Sequence, residues 1–433
     1  MEIFKSGDKI CLKDGNEITV KRFIGQGGQG CVYEAEMDGK SYALKWYLSE
    51  YLKKIDQKKF YQNLCENIES GSPSNEFLWP MAISEYERNS FGYIMELRPN
   101  RFSSFTSILN AKAKIKSVRT QLVAAKNICS AFQALHSKGY SYQDINDGNF
   151  FVDTNTGDVL ICDNDNVAPC GVWMGMGGKD RYMAPEVVLG KKRAGMESDL
   201  FSLAVVLYML FFISHPLEGR LLHSCPCLTT RFIRRFYAEK PVFVLDPNDQ
   251  SNRPVKGIDN NILTLWPCYP KKLQDLFIRS FTSGLHDAGF RVRESEWIDC
   301  INALYDSITV CPVCGGEQFY TKSNDDNTTF KCEDCGNNVR KPFLFVKEHT
   351  EKTLTPGVLL KTNNIGENGD GVVGEVIEST KHPGLWGIKN LSDIEWKASF
   401  SNGKTQEVGK NEVMPLFKDT IIKIGEKNIK IEM

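Results

Sequence analysis

Gly25-Gln26-Gly27-Gly28-Gln29-Gly30-Cys31-Val32 is followed by Tyr33-Glu34-Ala35-Glu36 and, across Asp38-Gly39, by Tyr42-Ala43-Leu44-Lys45. Glycines at this spacing also occur in dinucleotide-binding turns and in plain glycine loops. A dinucleotide fold needs a helix after the last glycine. Here residues 32–36 alternate as a strand, turn at Asp38-Gly39 and return, so the glycines sit at the tip of a β-hairpin. Backbone without Cβ atoms can close over a triphosphate, and Val32 can cover a purine. Ala43-x-Lys45 sets an ammonium on the next strand, within reach of phosphates.

Around this hairpin, residues 1 to 97 alternate as strands. One helical stretch, 49–70, interrupts them with Phe60, Leu64 and Ile68 on one face, and stops at Gly71-Ser72-Pro73. From 102 to 305 the spacing is mostly helical: 117–136 is amphipathic, and 199–212 is apolar nearly all round. Residues 309–340 are short, polar and cysteine-paired. Strands return from 341, with 385–389 and 420–431 alternating at period two.

The helical region carries a second set of polar residues. Tyr140-Ser141-Tyr142-Gln143-Asp144-Ile145-Asn146-Asp147-Gly148-Asn149 places an aspartate and an asparagine five apart, and fourteen residues later an apolar strand ends at Asp163. With the glycine hairpin and Lys45, these motifs resemble the protein kinase superfamily in order and spacing, over about residues 15–308. The resemblance implies an α+β, two-lobed fold, with an N lobe over 1–97 and a C lobe over 98–308. It implies ATP held by Gly25, Gly27, Gly28, Gly30, Val32, Ala43 and Lys45, with Met95 behind the adenine and the backbone of Glu96 and Leu97 at its edge. Asp144 would take or orient the proton of an acceptor hydroxyl, and Asn149 and Asp163 would hold Mg²⁺. Ala184-Pro185-Glu186 resembles A-P-E, Arg291 the ion-pair partner of its glutamate, and Asp199 the aspartate that anchors the catalytic-loop backbone. The partner of Lys45 is one of Glu66, Gln62 and Asn63. By family frequency the acceptor is a serine or threonine of a protein substrate.

The departures matter as much. His-Arg-Asp has become Tyr142-Gln143-Asp144, the lysine two after the aspartate is Asn146, and D-F-G is Asp163-Asn164-Asp165. One cation that stabilises the transition state is lost, while proton acceptor, metal ligands and phosphate lysine remain. The expectation is an active, atypical kinase, against an ATP-binding pseudokinase that acts as a scaffold. From Asp163 to Glu186 there is no serine or threonine, Gln143 cannot pair with a phosphate, Tyr182 stands where kinases bury a structural tyrosine, and Lys179 replaces a threonine. This loop is therefore expected to be set by packing around Trp173 and Met174, not by phosphorylation.

Cys311-Pro-Val-Cys314 and Cys332-Glu-Asp-Cys335 stand seventeen residues apart and read as a closed, structural zinc ribbon over 309–340. Little basic charge, with Asp325 and Asp326 in its loop, argues against nucleic acid. Residues 341–433 resemble the second half of a forkhead-associated β-sandwich at 385–392, Val408-Gly409-Lys410 and 421–425. They contain no arginine, so the expectation is a docking surface that no longer reads phosphothreonine. The domain order resembles bacterial kinases that act with a von Willebrand A-domain protein and a metal-dependent phosphatase.

The 433 residues, 41% hydrophobic and 25% charged, suit a soluble chain of about three domains. Lys and Arg number 53 against 54 Asp and Glu, which excludes a global basic field for nucleic acid or anionic membrane. The first residues lack the apolar core of a signal peptide, and the longest apolar run, 203–213, is about half a membrane span. The other ten cysteines have no framework spacing and read as free thiols of a cytoplasmic protein; Cys225-Pro226-Cys227 is a candidate metal or redox pair with no second pair near it.

Overall fold

Alternating burial along the first hundred residues closes an antiparallel sheet. Its strands are β1 (Lys9–Cys11), β2 (Glu17–Gln26), β3 (Gly30–Met37), β4 (Lys40–Tyr47), β5 (Ala82–Ile83) and β6 (Gly92–Glu96), ordered β1-β2-β3-β4-β6-β5. The β3–β4 turn passes through Asp38 and Gly39 at φ 51° and 76°, the left-handed pair that suits a two-residue hairpin. Gly30 answers to space: a Cβ there would lie 2.4 Å from the Trp46 carbonyl oxygen. In place of one helix over 49–70 there are two pieces, Ser49–Leu52 and Gln57–Ser70. Asp56 caps the second, accepting from the Lys59 amide at 3.1 Å, and Gly71 ends it.

A computed structural model of the chain describes residues 3–174, 178–321, 327–348, 350–367, 369 and 371–433. Two compact units emerge. The first comprises Met1–Lys116, Thr120–Pro267 and Lys271–Ile298; the second comprises Ser117–Arg119, Cys268–Pro270 and Asp299–Met433. Asp325 and Asp326 lie outside the described residues.

In the second unit, two short hairpins present the paired cysteines. Ile308–Val310 pairs with Glu317–Phe319, and Thr329–Lys331 with Asn338–Arg340. Two antiparallel sheets follow, one of six strands and one of four, around a single core that includes Val376, Ile388, Trp396, Met414, Ile422 and Ile429. The alternation over 420–431 is not one strand. Gly425, at φ 58°, folds it into a hairpin of Ile421–Ile424 and Lys427–Glu432, which keeps alternate isoleucines facing the core.

Beyond the sheet of the first unit come helices. Val118–Ser137 buries its apolar face, and Met196–Phe212 is buried almost all round. The latter starts a turn before Asp199, because the Ser198 hydroxyl accepts from the Gly195 amide at 2.9 Å and caps it. That turn positions Asp199 to accept from the backbone N–H groups of Tyr142 at 2.6 Å and Gln143 at 3.1 Å. His136 completes the knot, bonding to Asp199 Oδ2 at 3.2 Å and, through Nδ1, to Glu294. Burial opposes the His136 charge, but hydrogen bonds to Asp199 and Glu294 outweigh it and hold its pKa at about 9. A raised histidine pKa stabilises the fold fully below the ordinary 6.5, and that contribution is lost as pH rises through about 9. Thermal unfolding of the full chain between pH 6 and 10 should therefore lose on the order of 2–3 kcal/mol through this group. His136→Gln should lack that part of the decline; identical pH profiles for the two proteins would contradict it.

Candidate active site and cysteine cluster

Register places the glycine hairpin and the lysine on one face. Gly25, Val32, Lys45 and Tyr93 lie opposite one another across β2, β3, β4 and β6, and Ala43 faces Met95 one step along. Directly opposed residues of an antiparallel sheet share a face. A Cβ added at Gly25, Gly27 or Gly28 would meet nothing within 4 Å, so the tip leaves open space. Met95 is buried, the Glu96 side chain is exposed, and Leu97 is half-buried.

The helical part supplies the facing groups. Tyr140–Ser141 pairs with Ala168–Pro169, and the hairpin of Phe150–Asp153 and Val159–Ile161 brings Asn149 beside Cys162 and Asp163. The Cys162 amide donates to the Asn149 carbonyl at 2.9 Å, and Asn149 Nδ2 donates to the Asp144 carbonyl at 2.9 Å. Asp163 sits in the left-handed region at φ 56°. The substituted motif positions are all engaged. The Tyr142 hydroxyl donates to the Cys162 carbonyl, and Asn164 Nδ2 donates to the carbonyls of Leu78 at 2.8 Å and Ile161 at 3.0 Å. Burial, with Asp163 and Asp165 nearby, pushes the Asp144 carboxyl up to about 6, against the pull of the Asn146 hydrogen bond and the Lys179 charge.

None of the three helix residues considered for Lys45 is its partner. Glu66 is exposed and accepts from Gln62 Nε2 at 2.9 Å, while Asn63 Nδ2 donates to the Val167 carbonyl at 2.8 Å. Lys45 Nζ instead lies 2.8 Å from Asp165 Oδ2, 2.9 Å from Gln29 Oε1 and 3.4 Å from Asp163 Oδ1. The Tyr47 hydroxyl donates to the same Asp165 oxygen at 2.5 Å. Asp165 is wholly buried. Burial disfavours the Lys45 charge, but the two aspartates outweigh it and hold the ammonium above the ordinary lysine range. The available signal was a carboxylate where D-F-G has glycine.

The segment leading to Glu186 is pinned although position 143 carries no arginine. Gln143 Nε2 donates to the Val172 carbonyl at 2.7 Å, Lys59 Nζ to the Trp173 carbonyl at 2.9 Å, and Lys179 Nζ lies 3.1 Å from Asp147 Oδ1. Met174 packs in the core with Phe60 and Leu64, whereas the Trp173 side chain, expected to pack beside it, is 44% exposed. Glu186 and Arg291 form a bidentate pair, both contacts at 2.8 Å, with Arg291 also donating to the Glu197 carbonyl.

In the second unit, Gly315 and Gly336, at φ 74° and 70°, donate to the Cys311 and Cys332 carbonyls and close two matching turns. The four sulfurs of Cys311, Cys314, Cys332 and Cys335 lie within 4.8 Å of one another, with Cys311–Cys335 at 3.8 Å and Cys314–Cys332 at 3.7 Å. A tetrahedral ion with metal–sulfur bonds of about 2.3 Å would hold its sulfurs about 3.8 Å apart. Cys225 and Cys227 belong to no such cluster among the described residues.

Breaking a buried ion pair by removing one partner typically costs about 3–5 kcal/mol. Asp165→Asn should therefore lower the unfolding free energy by roughly 3 kcal/mol, with Asp163 limiting the loss. Glu66→Gln should leave stability unchanged. Chemical denaturation of both variants checks this, and the reverse ranking would return the helix glutamate to the role.

A model of the protein kinase domain family matches residues 18–244. Over 209 residues, 46% of this chain, the sequence is 26% identical to mouse protein kinase C delta type, spanning 30% of that protein. It is 25% identical over 217 residues to serine/threonine-protein kinase pim-2 of Danio rerio, 47% of this chain and 69% of that one. Protein kinase YegI of Escherichia coli is 24% identical over 330 residues, 71% of this chain and 48% of its own length. With a family match covering more than half of its length, laid over the glycine hairpin, Lys45, Asp144, Asn149 and Asp163, the chain belongs to the protein kinase family.

Proposed function

We propose that the chain is an active protein kinase that transfers the γ-phosphoryl group of ATP to a serine or threonine hydroxyl of a protein. The observation that carries this reading is the linked set of Lys45, Asp163, Asn149 and Asp144 beneath an open glycine tip. Those residues fit a nucleotide with its cations: open backbone, a charged buried lysine, and an Asp163 side chain 41% exposed. ATP with Mg²⁺ supplies the phosphoryl group and the charge that offsets it. Lys45 positions phosphate, Asn149 and Asp163 hold metal, and Asp144 takes the hydroxyl proton, oriented by Asn146 Nδ2 at 3.1 Å from its Oδ1. Gln143, Lys59 and Lys179 support a loop arrangement that needs no phosphorylation.

The sulfur spacing supports a structural zinc ion at the four cysteines. The two-sheet unit is read as a forkhead-associated-like docking domain. Asn390 and Ser392 support the loss of phosphothreonine reading, because they are bonded inward: Asn390 Nδ2 donates to the Ile394 and Val408 carbonyls, and its Oδ1 accepts from Ser392. A von Willebrand A-domain protein and a metal-dependent phosphatase as partners rest on domain order alone. No described helix is long and apolar enough to cross a membrane, and we place the protein in the cytoplasm on its cysteine usage.

Labelled ATP with Mg²⁺ should yield phosphate on the protein itself or on a protein substrate. Asp163→Ala should abolish metal-dependent turnover, and Asp144→Ala should cut kcat while leaving ATP affinity intact. Unchanged transfer by the Asp163 variant would defeat the assignment, and ATP binding with no transfer would favour the scaffold. Phosphatase-treated protein should keep its initial rate; a large loss traced to Tyr182 would overturn the independence from phosphorylation.

Freshly purified protein should contain one zinc per chain by elemental analysis. Cys332→Ser should lose the metal and unfold the ribbon without affecting ATP binding. Metal-free purified protein would remove the site.

A further inference from the structure

We infer that Lys179 supplies the cation that the catalytic loop lacks at Asn146, and acts as a catalytic residue on the transferred phosphoryl group. This rests on the kinase reading above. Phosphoryl transfer forms a bond from the acceptor oxygen to phosphorus and breaks the bond to ADP, while the acceptor proton passes to Asp144. Negative charge on the phosphoryl oxygens then needs a nearby positive group.

Asn146 cannot provide it. The side chain is uncharged and buried, with Nδ2 donating to the Asp144 carbonyl and Oδ1 at 3.0 and 3.1 Å, and Oδ1 accepting from the Gly148 amide at 3.0 Å. Lys179 reaches the same loop from the other side. Its Nζ lies 3.1 Å from Asp147 Oδ1 and 3.6 Å from where a Cβ on Gly148 would stand. On the other flank Gly178 backs onto the catalytic carboxylate, where a Cβ would lie 3.4 Å from Asp144 Oδ1. Both sides of the lysine therefore border the Asp144 loop. Lys179 remains 56% exposed, and one contact to Asp147 leaves ammonium hydrogens free for a phosphoryl oxygen. Lys45 is held between Asp163 and Asp165 and, on the reading above, is already committed to positioning the nucleotide's phosphates. A cation has moved from the catalytic loop to the loop facing it.

The competing role is a pin: Lys179 would only tether its loop through Asp147. Four proteins separate the two. Lys179→Met should lower kcat by about 10²-fold, and hold ATP·Mg²⁺ affinity by calorimetry within about 2-fold. ADP·Mg²⁺ with aluminium fluoride, a mimic of the transferring group, should bind at least about 10-fold more weakly to this variant. Asp147→Asn removes the charge that tethers the ammonium but keeps the ammonium itself, and should lower kcat by less than about 5-fold. The double variant Asn146→Lys, Lys179→Thr returns the cation to the catalytic loop and should recover kcat to within about 10-fold of the parent. Thermal unfolding of each variant checks that the fold is retained. Equal losses in Lys179→Met and Asp147→Asn, or no recovery in the double variant, would overturn the inference and leave the kinase reading standing. A parent protein that binds ATP and never turns it over would defeat both.

Discussion

One buried ion pair organises the site: Lys45 against Asp165, with Tyr47 donating to the same oxygen. An ammonium removed from water is tolerated only with a close opposite charge. Supplying that charge from the segment just past Asp163 ties β4 directly to the turn that Asp163 opens. Asn164, Asp165 and Asn166 are all buried there, and Asp163 is held left-handed at the head of the turn with its carboxylate still half-exposed. The helix Gln57–Ser70 is thereby relieved of an electrostatic role. It docks through neutral amides, Asn63 and Asn67, both donating to the Val167 carbonyl at 2.8 Å.

The same exchange of neutral for charged groups recurs around the cleft. Tyr142 replaces a histidine and bonds the backbone before Asp163, and Gln143 replaces an arginine and bonds the loop backbone at Val172. Each contact is weaker than an ion pair in isolation, yet none carries the desolvation penalty of a charge, and none waits on a phosphate. The positive charge near Asp144 comes from Lys179, on the opposite loop. Met174 in the core and the Lys59 contact to the Trp173 carbonyl hold the start of that loop.

The second unit uses local geometry more than charge. Two matching turns, each closed by a left-handed glycine, aim four sulfurs at one point, and a hydrophobic core holds the two sheets face to face. Its buried polar knot at Asn390 shows the same economy: every bonding group of the amide is used to fasten loops rather than left for a ligand.

Features set within a few residues were legible in the chain. The glycine hairpin, the Asp38-Gly39 turn, the two cysteine turns and the helices near 118–137 and 196–212 follow from spacing and turn chemistry, which act locally. The order of Lys45, Asp144, Asn149 and Asp163 was legible for the same reason. Which charge meets which was not. Lys45 and Asp165 are 120 positions apart, and helical spacing alone could not choose among Gln62, Asn63 and Glu66 or exclude all three. The break before Asp56, the hairpin at Gly425 and the reach of Lys179 across to Asp147 likewise appeared only once the elements were packed. Periodicity assigns a residue to a face, but ion pairing falls with distance and rises with burial, and both of those quantities exist only in the folded chain.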